Sequence, residues 1–233
     1  MSKPYQPEVL FEDNHILIIN KKSGDIVQGD KTGDLPLNDL LKEYLKIKYN
    51  KPGNVYLGTV HRLDRPTSGI VMFAKTSKAL TRLNKMFQDK EINKIYWAIT
   101  EAHPPQKTGY LVDHLLKNEK QNKSYPHIKP VDKSKKAELE YTYKGKGDRY
   151  FYLEINPLTG RHHQIRVQLS NIKCIIKGDL KYGAKRPNKD GSIHLHARKL
   201  IFEHPIKKEM VSIIAPVPND PLWLDFQTKA ADK

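Results

Sequence analysis

The first half of the chain alternates short apolar runs with stretches of helical periodicity. Residues 14–20 contain the apolar run Ile16–Ile19 and residues 69–75 are almost wholly apolar, which predicts two buried strands. Apolar residues recur every three or four positions over 36–49 and over 77–88, and this spacing predicts two amphipathic helices. A chain that continued in this strand-to-helix order would form a parallel, doubly wound sheet.

The second half of the chain departs from that order. Segments rich in Tyr, Ile, Val and Trp predict six further strands, at 94–100, 109–116, 137–143, 150–155, 193–202 and 210–216. Between them, a turn at Gly160 leads into a helix predicted over 162–172, with Ile165 and Leu169 on one face. These elements predict an α+β fold with a mostly antiparallel mixed central sheet flanked by helices and loops.

One connection stands out by its length and charge. Residues 117–136 are polar, contain prolines and are crowded with lysine, which predicts an exposed loop long enough to have a role of its own. The alternative is a solvated, variable connection, and for any single lysine in it that alternative is the better one.

The amino-acid composition indicates the size of the core and the kind of binding partner. The 233 residues include 41 Lys+Arg against 26 Asp+Glu, for a formal charge of +15, and 38% hydrophobic residues suffice for one sizeable core. We therefore expect a single domain over 1–233. The excess positive charge attracts polyanions, so nucleic acid is the leading partner. A lysine-rich surface that serves solubility alone is the alternative.

Several classes of protein are excluded or disfavoured. The sequence shows neither a secretory leader nor an apolar run that could span a bilayer, so we expect a cytoplasmic protein without membrane contact. A single cysteine, Cys174, rules out an intrachain disulfide and a zinc ribbon. Phosphate-binding glycine loops are missing. The candidates for metal ligands are His162, His163, His194 and His196. A metal site is disfavoured, because none of them has a carboxylate or cysteine at a ligand spacing.

The stretch 61-HRLDRPTSGIVMFAKT-76 carries the clearest candidate chemistry. It places Asp64 between two arginines, and neighbouring cations lower the pKa of a carboxylate and keep it ionised. An ionised carboxylate can act as a nucleophile or a base. The alternative is a structural ion pair of Asp64 with Arg62 or Arg65 in a turn.

These residues also carry a family resemblance. The sequence resembles the RluA family of pseudouridine synthases, whose HRLDxxTSG signature matches 61–69, whose KxY segment matches 94–96, and whose GRTHQIRVHL segment matches 160–169. Three further segments match in the same order: IINKKSG at 18–24, GDLKYG at 178–183 and LHARKLIFEHP at 195–205. Together they cover nearly everything from Val9 to Pro218.

The resemblance implies a fold, a reaction and a set of roles. The fold would be the pseudouridine synthase catalytic domain, and the reaction the isomerisation of uridine to pseudouridine within RNA, without metal or organic cofactor. The target base would be flipped out of its stack into a pocket. Asp64 would supply the essential carboxylate, either attacking C1′ or removing a ribose proton, and the sequence leaves both routes open.

Further roles follow from the matched positions. Tyr96 would stack on the flipped uracil or relay a proton, unless it is a core tyrosine. Arg166 would pair with Asp64, the alternative being a solvent-facing arginine. Arg62 would fill the space left by the base or contact a phosphate. The remaining predicted RNA-binding residues are Arg65, Lys94, Arg161, His163, Lys133, Lys135 and Lys136. His61, Thr67 and Ser68 are expected to build the turn, and Asp179 to be structural.

The sequence departs from the family pattern at Lys22, where proline is usual, at His162, where threonine is common, and at Lys177, where the family is usually apolar. We expect no separate amino-terminal RNA-binding module, so that this domain itself holds the RNA, which is ribosomal or transfer RNA. A monomer is the default. Two other functions stay open: an inactive RNA-binding module or assembly factor on the same fold, and a glycosidase, which would need a second catalytic carboxylate.

Overall fold

The structure is a computed structural model in which residues 5–29 and 33–231 are described. Their contacts group the chain into two compact units. The first comprises Met1–Ile92 and Lys199–Pro216, and the second comprises Asn93–Arg198 and Val217–Lys233. The expectation of a single domain stays a prediction.

The first unit combines antiparallel strands with two helices. Its elements are β1 (Val9–Glu12), β2 (Ile16–Lys21), α1 (Leu37–Lys48), β3 (Gly58–Thr59), β4 (Ser68–Ala74), α2 (Ser77–Gln88) and β11 (Met210–Ile214). Strand β2 pairs with β1 on one side and with β4 on the other, and β3 also pairs with β4. Strand β11 pairs with the last five residues of β10, which spans Leu195–Glu203.

The core of the first unit is built on β2 and β4. Residues 16–19 and 71–74 are fully buried, as their apolar sequence predicts. Helix α1 buries three leucines at spacings of four residues, which is one helical face. Helix α2 begins where the Thr76 side chain accepts a hydrogen bond from the Ala79 N–H at 3.2 Å, the usual way in which a threonine caps a helix.

The second unit is built on a longer antiparallel meander. Its elements are β5 (Asn93–Thr100), β6 (Thr108–Asn118), β7 (Lys123–His127), β8 (Lys135–Lys146), β9 (Phe151–Pro157), α3 (Gln164–Asn171), a 3-10 helix (Leu180–Tyr182), the start of β10 and α4 (Pro221–Ala231). Strand β9 lies between β5 and β8, and β6 lies between β8 and β7, all antiparallel.

Apolar clusters fix the helices of the second unit to its strands. Helix α3 packs Ile165 and Leu169 onto a cluster that includes Ile155 of β9. Helix α4 packs Phe226 against Trp97 of β5, with ring centroids 4.2 Å apart. Burying such large rings removes much apolar surface from water, so each helix is fixed to the meander by its apolar face.

The α+β fold with a mostly antiparallel sheet is confirmed, and each helix and strand that the sequence predicts is present. The interpretation of 117–136 as a loop is wrong in part, because β7 pairs there with β6 in register His114↔His127 to Asn118↔Lys123. Strands β1 and β3 and helix α4 were not predicted. Within the described part of the chain, no helix is both long and apolar enough to cross a membrane.

Candidate active site

In the first unit, Asp64 lies at the start of a tight turn. Its backbone carbonyl accepts a hydrogen bond from the Thr67 N–H at 3.0 Å, which closes the turn. The ring of Pro66 restricts the backbone of the turn, and β4 begins directly after it at Ser68. Asp64 is half-buried. The turn therefore presents the carboxylate immediately before a fully buried strand.

Neighbouring residues hold this turn in ways that the sequence predicts only in part. The Nε2 atom of His61 accepts a hydrogen bond from the Met72 N–H at 3.1 Å, and its ring stacks on Phe87 at 5.0 Å between centroids. Thr67 contributes its N–H, while its buried hydroxyl has no hydrogen-bond partner among the residues described. Thr67 therefore contributes to the turn through its N–H and not through its hydroxyl.

The two arginines beside Asp64 are both exposed. Arg65 forms an ion pair with Asp34, with Nη1 and Oδ2 2.7 Å apart. Both side chains of that pair face solvent, so it contributes little to stability. Contacts of Arg62 and Arg65 with RNA stay predictions.

In the second unit, Lys94 and Tyr96 stand two residues apart on β5 and so point to the same face of the strand. Both are half-buried. Tyr96 lies opposite Ile155 of β9 and packs against the apolar cluster beneath α3. Tyr96 is therefore in part a core residue, and its stacking on a base stays a prediction.

Arg166, in the first turn of α3, forms a buried ion pair with Asp179. Its Nε donates to Oδ2 at 2.7 Å and its Nη2 donates to Oδ1 at 2.8 Å. The side chains are 5% and 1% exposed, so the alternative of a solvent-facing arginine is wrong. Two parallel hydrogen bonds fix the guanidinium plane as well as its position. The ring of Tyr182 lies 5.2 Å from the guanidinium carbon, and Asp179 has the structural contact expected of it.

A hydrogen-bonded network joins α3 to β7. His163 is buried, adopts a left-handed backbone with φ 55°, and places Nδ1 2.9 Å from the Tyr182 hydroxyl. That hydroxyl accepts the Ser124 N–H at 2.9 Å, and the Ser124 hydroxyl donates to the carbonyl of His162 at 2.9 Å. Burial leaves His163 little surface to offer RNA, and its RNA-binding role stays a prediction.

Arg161, which follows the turn at Gly160, lies beside the lysines around the start of β8. The Nε of Arg161 donates to the Lys136 carbonyl at 3.0 Å, which ties the loop before α3 to the start of β8. The Lys136 ammonium already pairs with Glu138 at 2.8 Å. Lys133 and Lys135 are exposed. The structure thus brings four of the predicted RNA-binding cations onto adjoining segments of the second unit.

The histidines named as metal candidates have other contacts. His194 lies between Asn188 at 2.9 Å and Asp220 at 3.2 Å, and its hydrogen bond is the main factor lowering the pKa of Asp220. His196 is buried near the ring of Trp223. Over residues 5–29 and 33–231, no group of three or more His, Cys, Asp or Glu side chains could hold a metal ion. A metal-free reaction stays a prediction.

Three residues near the predicted site were not singled out from the sequence. Lys21 and Tyr182 lie within the segments 18–24 and 178–183, which match the family pattern. Those matches could have identified both residues as candidates. Ser124 lies in a lysine-rich stretch without any such signal. Burial of Cys174 raises the pKa of its thiol to about 11, in keeping with an inert residue.

Gly178, next to Asp179, allows a test of how tightly this part of the site is built. A Cβ at this position would lie 2.8 Å from the Ser192 carbonyl, on a backbone with φ +86°. We expect Gly178→Ala to destabilise the protein by about 3 kcal/mol, through left-handed strain and overpacking. Gly191→Ala is the matched control, because Gly191 has φ +71° with nothing within 4 Å, and should cost about 1 kcal/mol. Equal losses in urea unfolding would contradict the packing argument.

Comparison with known proteins places these residues in a family. The sequence profile described as RNA pseudouridylate synthase matches residues 15–171. The chain is 36% identical over 217 residues to a ribosomal large subunit pseudouridine synthase C of Buchnera aphidicola subsp. Baizongia pistaciae, covering 90% of this chain and 66% of that one. It therefore spans about two thirds of the length of that relative.

Two further comparisons cover nearly all of both chains. A tRNA pseudouridine synthase C of Pasteurella multocida is 32% identical over 242 residues, with 94% of each chain covered. The solved structure of human RNA pseudouridylate synthase domain containing 4 superposes with a TM-score of 0.79 at 23% identity, covering 96% of this chain and 92% of that one. As its resemblance to the RluA family predicts, this chain belongs to the RNA pseudouridylate synthases.

Proposed function

We propose that the protein isomerises uridine to pseudouridine within RNA, with Asp64 as the essential carboxylate. The observation that carries the proposal is the family match over 15–171, which includes Asp64 in its HRLD turn. The relatives named above are pseudouridine synthases of ribosomal and of transfer RNA. Both names support RNA as the partner. The proposed substrate is therefore a structured RNA, either ribosomal or transfer RNA.

The reaction rearranges bonds without adding or removing atoms. The N1–C1′ bond breaks, the uracil turns, a C5–C1′ bond forms, C5 loses its proton and N1 gains one. Asp64 would start this sequence either by attacking C1′ or by removing a ribose proton. Both routes need the ionised carboxylate, which neighbouring cations stabilise. The uracil must first leave its stack, because C1′ and C5 are not accessible together within a helix.

Tyr96 and Arg166 would complete the chemistry. The half-buried ring of Tyr96 would stack on the flipped uracil, and its hydroxyl would relay a proton. Asp179 uses two of the five N–H donors of the Arg166 guanidinium. The proposed role of Arg166 toward Asp64 would use the other donors. Arg62 would occupy the gap left by the base or bind a phosphate.

The basic surface should make RNA binding depend strongly on salt. With a net charge of +15, the affinity should fall with a log–log slope of roughly −0.7 to −0.9 per neutralised phosphate, the values for single-stranded and double-helical nucleic acid. Replacing Lys133, Lys135 and Lys136 together with Gln should reduce that slope by about 2 units. Lys136 should contribute least, because Glu138 already partners it. Filter binding at several KCl concentrations measures the slope.

A matched control uses three exposed lysines on the helices of the first unit, namely Lys46, Lys78 and Lys85. Their replacement with Gln removes the same charge and should leave the slope within about half a unit. If both triple variants change the slope equally, net charge rather than this surface determines RNA binding. If the wild-type affinity does not respond to salt, the lysines serve solubility.

The most direct cellular test maps pseudouridines in ribosomal and transfer RNA with and without the gene. We expect one or a few sites to lose the modification, and purified protein to restore it on an unmodified transcript. A cytoplasmic location and a monomeric state agree with such a role. A protein that binds the transcripts but converts none would be a binding module or assembly factor instead.

A further inference from the structure

Lys21, the last residue of β2, is a buried lysine that the proposed chemistry leaves without a role. Its side chain is 1% exposed. The ammonium donates to the Lys22 carbonyl at 2.8 Å and to the Arg65 carbonyl at 3.1 Å. It therefore connects the end of β2 to the turn that carries Asp64.

Two neighbours of Lys21 hold the same turn. The Gly24 N–H donates to the Arg65 carbonyl at 2.9 Å, and the Ser23 hydroxyl donates to the Pro66 carbonyl at 3.1 Å. Gly24 has φ +96°, a conformation that other residues rarely adopt. We call Lys21, Ser23 and Gly24 the turn clamp, because three of their donors bind two successive carbonyls of the turn.

The turn clamp is anchored on a fully buried strand pair of the first unit. Lys21 lies opposite Gly69 in the β2–β4 ladder, which continues to Ile16 opposite Ala74. Residues 16–19 of β2 and 71–74 of β4 are fully buried. A clamp fixed at that ladder can hold the turn without moving with the solvent-exposed loops.

Stability alone gives a poor reason for a lysine at this position. Burial lowers the pKa of Lys21 to about 8, while the charges of Asp25 and Asp64 act to raise it and that of Arg65 lowers it further. Burying a charged amine opposes folding, and apolar residues of similar volume are often at least as stable there. The Arg65 carbonyl would also keep its Gly24 donor. A cation beside the turn is therefore more useful to the carboxylate of Asp64 than to the fold.

We propose that Lys21, supported by Ser23 and Gly24, is a positioning residue for the isomerisation: it holds the turn so that Asp64 projects at the reactive angle. This inference rests on the proposed function. Lys21 itself does not touch the substrate. Because small misplacements of a reacting group are costly, loss of the turn clamp should slow the chemical step and leave RNA binding intact.

Lys21→Met in the full chain tests the proposal by separating chemistry from binding. At saturating RNA, we expect the single-turnover rate to fall about a hundredfold, while the dissociation constant for RNA changes less than about twofold. The thermal midpoint should stay the same or rise, because a buried charge is removed. Lys78→Met, at an exposed lysine of α2, is the control and should match the wild type in all three measurements.

Ser23→Ala provides a milder variant, since it deletes only the donor to the Pro66 carbonyl. We expect a smaller rate loss of about tenfold and, in both clamp variants, faster hydrogen exchange of the Thr67 and Gly24 amides.

The pH dependence of stability gives a further check. Unfolded Lys21 keeps its proton up to its ordinary pKa of 10.5, whereas folded Lys21 loses it near pH 8. The free energy of unfolding of wild type should therefore increase relative to that of Lys21→Met as the pH rises from about 8.

The outcomes separate this inference from the function on which it rests. If wild type and Lys78→Met both fail to form pseudouridine, the proposed function is wrong, and amide exchange alone then decides whether the turn clamp exists. If both are active and Lys21→Met turns over at their rate, Lys21 does not position Asp64. A Lys21→Met protein that unfolds easily, yet whose folded fraction reacts normally, would make Lys21 merely structural and also overturn the proposal.

Discussion

Asp64→Asn should abolish pseudouridine formation, to below about 10⁻⁴ of the wild-type rate, because the amide can neither attack C1′ nor accept a ribose proton. The turn should survive, since the hydrogen bond that closes it runs from the Thr67 N–H to the backbone carbonyl of residue 64. RNA affinity should be kept or increase slightly, because one negative charge is lost. Single-turnover assays and filter binding on the same RNA measure both quantities.

Asp39→Asn is a suitable control for that experiment. Asp39 is exposed on α1 in the same unit and pairs with Lys42 at 3.1 Å, so the substitution makes the same change in charge away from the turn. It should leave turnover within about twofold of wild type. Wild-type turnover by Asp64→Asn would remove the catalytic assignment and favour the binding module.

Arg166→Met should have the largest effect on stability. It leaves the carboxylate of Asp179, 1% exposed, without the cation that binds both of its oxygens. Breaking one side of a buried pair costs about 3–5 kcal/mol. Lys42→Met, which breaks an exposed pair, should cost less than about 1 kcal/mol. Urea unfolding compares the two variants directly.

A double variant separates the structural role of Arg166 from its proposed catalytic role. Arg166→Met combined with Asp179→Asn removes both buried charges, and we expect it to recover at least half of the lost stability. Activity should stay low by orders of magnitude, because Asp64 would still lack its proposed cation. Recovery of activity together with stability would show that Arg166 serves only to neutralise Asp179.

Local features of the fold could be predicted from the sequence because local residues determine them. Helix α2 begins and ends where the apolar spacing predicts, over 77–88, since Thr76 caps it and its apolar face is continuous. Strand β7 could not be predicted in the same way. It is a lysine-bearing segment with Pro126 opposite Leu115, and only its pairing with β6 makes it a strand.

The same distinction applies to the site. Asp64 could be found from a contiguous motif, whereas the bond of Arg166 to Asp179 joins residues thirteen positions apart. The bond of Lys21 to the Arg65 carbonyl joins residues 44 positions apart. Such contacts depend on how the fold brings distant strands and loops together. A single sequence does not give the distances between these side chains. The sequence therefore identifies the reacting group better than the residues that hold it.

The central claim is that this chain converts uridine to pseudouridine, and release of tritium from C5 tests it most directly. Purified protein is incubated with folded ribosomal or transfer RNA transcripts that carry 5-tritiated uridine. The account predicts release of tritium to water in simple stoichiometry with the target sites, from intact RNA, by wild type and not by Asp64→Asn. Binding of these transcripts with no tritium released, or equal release by Asp64→Asn, would contradict it.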